Sequence, residues 1–130
     1  MSDKNVDEVL SVNRKLLESI VAADWKTYAE LCDPNLSCFE PEARGQVVEG
    51  MAFHKFYFDL GAGSGARTTT MASPHVRFLG PDVAVLAYMR LTQKLAADGA
   101  PVTTAVEETR IWHRQAGVWK HVHFHRSLPG

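Results

Sequence analysis

The 130-residue sequence is poor in the features that would assign a function quickly. It has two cysteines, Cys32 and Cys38. With no second pair and no CxxC spacing they frame neither a zinc site nor a redox motif, and are read as reduced, buried thiols. No apolar run approaches the roughly 18 residues of a membrane span, and the polar start "MSDKNVDE" lacks the basic and then apolar opening of a signal peptide. A soluble, cytoplasmic protein with no membrane partner is expected. Neither sign of charge dominates: 14 Lys+Arg against 15 Asp+Glu leave a net charge of −1, which gives no basic footprint for nucleic acid. The parts that phosphoryl transfer needs are also missing, namely a glycine-rich nucleotide loop, a VAIK-like lysine, HRD and DFG. "GAGSGA" lacks dinucleotide-fingerprint spacing and follows no strand, so it is read as a flexible loop.

What is present reads as one domain over residues 1–130. Val6, Val9, Leu10, Leu16, Leu17, Ile20 and Val21 recur at helical spacing and predict a long first helix with one buried face. Asp24 is placed to cap a short second helix, Trp25 to Leu31, which "CDP" stops. "NLSCFEPEARGQVVEG" predicts two short strands around a turn at Glu40 to Gly45, and the aromatic "GMAFHKFYFDL" a helix. After residue 66 the period becomes that of strands: Arg67–Ala72, His75–Leu79, Val83–Lys94, Val102–His113 and Val118–Ser127, joined by short turn-forming breaks and therefore antiparallel. Helices first and a meandering sheet after them make an α+β domain with helices on one sheet face. In "VAVLAYMRLT" both faces are largely apolar, which calls for a second cover; another subunit supplies it most simply, a loop folded back less well.

The segments "DWKTYAELCDP", "CFEPEARGQVVEGMAFHKFYF", "SPHVRFLG", "AYMRLTQ", "EETRIWHR" and "VWKHVHFHRS" together resemble the association (hub) domain of calcium/calmodulin-dependent protein kinase II, within the nuclear transport factor 2-like (SnoaL-like) superfamily. The resemblance runs nearly end to end, as a stand-alone protein without the kinase domain. It implies a cone-shaped fold, a long N-terminal helix packed on a curved antiparallel sheet around a pocket, and assembly through the sheet into dimers or higher homo-oligomers. Calmodulin binding does not come with it, because no basic amphipathic helix is present. The loop "DLGAGSGAR" is shorter and more glycine-rich than the family's, and lacks the aromatic residue found there.

Three arginines stand on three neighbouring strands, Arg90 beside Tyr88, Arg110 beside Trp112 and Glu108, and Arg126 beside Phe124. The resemblance implies that they converge in the pocket, where His54 and Glu108 also reach. Convergent guanidiniums are costly to bury unpaired, and their planar forks match a carboxylate. A small carboxylate-bearing ligand held by Arg90, Arg110 and Arg126, with His54 or Tyr88 at its far end, is the expectation. Pairing of the arginines with Glu40, Glu107 or Glu108 is the alternative. His121, His123 and His125 alternate along the last strand and should share its outer face. They are read as interface or packing residues rather than a metal site, since no carboxylate or cysteine recurs at ligand spacing. No cofactor, metal or catalytic residue is expected. The rival reading is a small isomerase- or dehydratase-type enzyme using His54, Asp33 or Glu40 as base.

Overall fold

The computed structural model describes residues 3–63 and 65–129; Ser64, inside the expected "GAGSGA" loop, and the extreme ends of the expected domain lie outside them. Helix α1 (Asp3–Val21) turns Val9, Leu16 and Leu17 into the core at the predicted spacing. Asp24 then caps α2 (Trp25–Leu31): its carboxylate accepts from the Thr27 backbone N–H at 3.2 Å and from the Thr27 hydroxyl at 2.7 Å. Strand β1 (Cys32–Phe39) follows without a loop, then a 3-10 turn at Pro41–Ala43, the two-residue strand β2 (Val48–Glu49) and helix α3 (Ala52–Asp59). The meander comprises β3 (Arg67–Phe78), β4 (Val83–Leu95), β5 (Pro101–Gln115) and β6 (Val118–Ser127).

The six strands form one sheet in the order β2-β1-β6-β5-β4-β3. Every neighbouring pair is antiparallel except β1 and β6, which run parallel. The β5–β6 turn consists of Ala116 and Gly117, both at positive φ (51° and 81°), the backbone that a two-residue hairpin requires. All three helices lie on the inner sheet face, where Ala84, Leu86, Trp112 and Phe124 join Val9, Leu16, Leu17 and Tyr28 in the core. The alternate residues of β4, Val83, Val85, Ala87 and Met89, stay half-exposed on the outer face.

Two local readings are corrected. The two strands expected over residues 67–79 are one strand, β3, with a register irregularity between Ala72 and His75 and Ser73 at φ 51°. Pro74 cannot donate to a ladder, and an edge strand tolerates it as an irregularity rather than as a break. The three histidines of β6 do not share a face. Ile111 pairs with His123 while Trp112 pairs with His121, so Val122 is an extra residue in β6. That bulge rotates His121 into the core, where it is fully buried and stacks on Phe124 at 5.4 Å, and leaves His123 and His125 on the outer side.

Candidate functional site: an arginine-walled cavity

A cavity of about 190 Å³ opens between α3 and the inner sheet face. Its walls are Arg90 from β4, Arg110 and Arg126 from β5 and β6, His54, Tyr57 and Phe58 from α3, Tyr28 from α2, Phe124, Ile20, and the acids Glu40 and Glu42 from the β1–β2 connection. Register explains the convergence. Arg110 pairs across the ladder with Leu86 and Phe124, both inward-facing, and Glu108 with Tyr88 and Arg126.

Glu108 sits at the centre of the charge arrangement, with its side chain wholly buried. One oxygen accepts from the Tyr88 hydroxyl at 2.5 Å and from Arg110 Nη2 at 3.0 Å and Nε at 3.1 Å. The other faces Arg90 Nη1 at 3.4 Å and Arg126 Nε at 3.6 Å. Burial alone would favour the neutral acid, but Arg110 and then Arg90 outweigh it and hold the carboxyl below its ordinary range. Burial likewise opposes charge on Arg110, and Glu108 reverses that effect. Arg110 also donates to Nε2 of His121 at 3.3 Å and lies over the Phe124 ring at 4.4 Å. Since Nε2 accepts, the His121 proton sits on Nδ1, facing Cys32 Sγ at 3.5 Å. Burial, then Arg110, keeps that imidazole neutral.

Each of the three guanidinium nitrogens of Arg110 therefore has a hydrogen-bond partner, which is not so for Arg126. Arg126 Nη1 donates to Glu42 at 2.8 Å and approaches Glu40 at 3.6 Å, but its buried Nε has no hydrogen-bond partner. Burial, and then Glu42, raise the Glu40 pKa above its ordinary value. His54, 4% exposed, is pushed down to about 4 by burial and then by Arg110, so it is neutral at pH 7.

Residues 5–130 match the family model described as the calcium/calmodulin dependent protein kinase II association domain. The chain belongs to that family. It is 48% identical over 122 residues to the delta subunit of the type II kinase of Oryctolagus cuniculus, covering 92% of this chain and 23% of the relative. The chain thus spans about a quarter of the length of that curated relative. Among solved structures it is similar to the hub homology domain of Chlamydomonas reinhardtii (50% identity, TM-score 0.91, 96% of this chain and 98% of the other). It is also similar to the association domain of the C. elegans kinase (43% identity, TM-score 0.88, 93% of each chain). A nuclear transport factor 2-like superfamily protein from Salmonella enterica shares the fold, with 23% identity and a TM-score of 0.77 over 100% of this chain and 94% of the other.

In this association domain the structure brings Arg90, Arg110, Arg126 and His54 to one cavity wall. Tyr88 and Glu108 form the layer beneath: the Tyr88 hydroxyl donates to Glu108 and accepts from Arg110 at 3.0 Å and Asn13 at 3.1 Å. Of the acids expected to pair the arginines, Glu108 and Glu40 do so; Glu107 is exposed on the other face. Asp33 accepts from Gln115 at 2.9 Å and lines a different groove from His54 and Glu40, which separates it from the other two expected bases. Sequence reasoning missed Glu42, the nearest acid to Arg126, because it lies in a turn. It also missed Asn13, whose amide accepts from the Trp112 indole at 3.0 Å and donates to Tyr88. A lone polar residue between Val9 and Leu16 on the buried stripe of α1 was its signal.

Proposed function

We propose that this chain is an association module that self-assembles through the outer face of its sheet and holds a small carboxylate-bearing molecule between Arg90, Arg110 and Arg126. Self-assembly is supported by an apolar outer face on β4 that no helix covers among the described residues, together with membership of an association-domain family. The single observation that carries the ligand reading is the Arg126 Nε–H, buried beside the cavity and without a hydrogen bond although Glu108 lies 3.6 Å away, which a bound carboxylate oxygen satisfies. The aromatic wall of Tyr28, Tyr57 and Phe124 fits the short apolar body of such a molecule, and neutral His54 offers it a hydrogen bond. The two free buried thiols suit a reducing compartment such as the cytoplasm.

Thermal denaturation with millimolar short monocarboxylates tests the ligand reading. The melting temperature rises with ligand in the wild type. Arg126→Ala abolishes the shift, and Arg126→Lys restores part of it, because an ammonium replaces the charge but not the two-pronged geometry. A flat response of the wild type to every short monocarboxylate refutes the reading.

A further inference from the structure

Cys38, Glu40 and His54 meet at the edge of the cavity, where Glu40 and His54 line it and Cys38 lies buried behind them. Cys38 and Glu40 are two residues apart at the end of β1 and project to the same side, while His54 comes down on them from α3. Cys38 Sγ lies 3.9 Å from His54 Nε2, Glu40 Oε1 lies 3.9 Å from His54 Nδ1, and one ligand atom from each residue falls within 4.8 Å of the other two. The ring also packs against Tyr28 and Phe124, but its polar contact to Glu40 is longer than a good N–H···O hydrogen bond of roughly 2.7–3.2 Å, and the Cys38 sulfur makes only a weak, long contact. A soft thiol, a borderline imidazole and a hard carboxylate thus lie around one point without a short bond between any two of them.

We propose that Cys38, Glu40 and His54 form a binding site for a zinc-type divalent cation, with a fourth coordination position open to the cavity. A sulfur, nitrogen and oxygen set suits zinc and not magnesium or calcium, which take oxygen ligands. Around tetrahedral zinc, bonds of about 2.0–2.3 Å place ligand atoms about 3.3–3.8 Å apart, so small side-chain rotations bring these donors to bonding distance. The neighbouring guanidiniums of Arg110 and Arg126 oppose a cation. The thiolate and the Glu40 carboxylate together cancel the charge of a dication, and Arg126 engages the other Glu40 oxygen at 3.6 Å, leaving Oε1 for the metal. The neutral His54 ring supplies a lone pair without first losing a proton. The Cys38 thiol, raised to about 12 chiefly by burial, gives up its proton to solvent as the metal–sulfur bond forms. The sequence reading looked for metal on the last strand; these donors come from β1, its end and α3.

The test is a titration of chelator-treated, reduced protein with Zn²⁺, and with Co²⁺ as an optical probe. One equivalent binds per chain, with a thiolate-to-cobalt charge-transfer band, and affinity rises with pH because a proton is released. Cys38→Ala and His54→Gln abolish the band and lower zinc affinity at least tenfold, whereas Cys32→Ala and His123→Ala change neither. Cys38→Ser keeps the buried volume should the alanine variant fail to fold. In the wild type, zinc slows alkylation of Cys38 and not of Cys32, a readout that needs no variant. Absence of stoichiometric uptake, a cobalt spectrum without the thiolate band, uptake that survives Cys38→Ala, or protection of Cys32 instead of Cys38 overturns the proposal.

Discussion

Replacing Glu108 by glutamine removes one negative charge and almost no volume, so its effect isolates the electrostatics of the cavity wall. The carboxylate is wholly buried and answers Arg110, itself 1% exposed, through two hydrogen bonds, as well as Arg90 and Arg126. Breaking a buried ion pair by removing one partner costs about 3–5 kcal/mol, because the remaining charge stays buried without compensation. Here three guanidiniums lose their shared counter-ion, which places Glu108→Gln toward the upper part of that range. For a domain of 130 residues this corresponds to a fall in melting temperature of about 10–20 °C. Glu107→Gln is the internal control, since the adjacent residue on β5 is exposed and its loss should lie within about 0.5 kcal/mol. Urea denaturation at fixed protein concentration, read by circular dichroism, measures both variants. A short carboxylate added to Glu108→Gln should recover more stability than it adds to the wild type, because it replaces the missing counter-charge. A loss below about 1 kcal/mol for Glu108→Gln, or equal losses at 107 and 108, refutes the claim that this carboxylate holds the arginines together.

Acid should destabilise the fold from a defined side. His54 is held near 4 against an ordinary 6.5, so the unfolded chain binds the proton first and stability falls as pH drops below 6.5, by about 2 kcal/mol at pH 5 from this residue. His121 is shifted the same way and adds to the loss, while Glu40, shifted up, works against it; urea midpoints that stay flat from pH 7 to 5 would contradict this. Asn13→Leu leaves the buried Trp112 N–H without its acceptor and should cost about 1–3 kcal/mol in the same assay.

The helices and the antiparallel meander, apart from the division of β3 at Ser73–Pro74, were legible because their signals are local. The spacing of Val9, Leu16 and Leu17, the Asp24 cap and the alternation along β4 each lie within a few residues of sequence. Strand parity placed Arg90, Arg110 and Arg126 each beside large apolar neighbours, which holds while the ladder is regular; that the three converge came from the family resemblance and not from parity. Parity failed at His121, where one inserted residue, Val122, reverses the face of everything before it, and a bulge has no compositional signature in "KHVHFH". The parallel pairing of β1 with β6 was invisible for a different reason: the two strands are separated by most of the chain, and no turn joins them. That pairing sets Cys38 opposite Phe124, which is why sequence reading placed Cys38 only as a buried thiol, whereas Glu40 was already expected beside the arginines.

Self-assembly through the outer sheet face is the central claim, and light scattering after size exclusion tests it most directly. At micromolar concentration the wild type should elute with a mass that is a multiple of 14.4 kDa. Met89→Glu, which places a charge on the half-exposed outer face of β4, should reduce that mass to one chain with the circular-dichroism spectrum unchanged. A wild type that runs as a single 14.4 kDa chain, or a Met89→Glu variant that keeps the wild-type mass, contradicts the account.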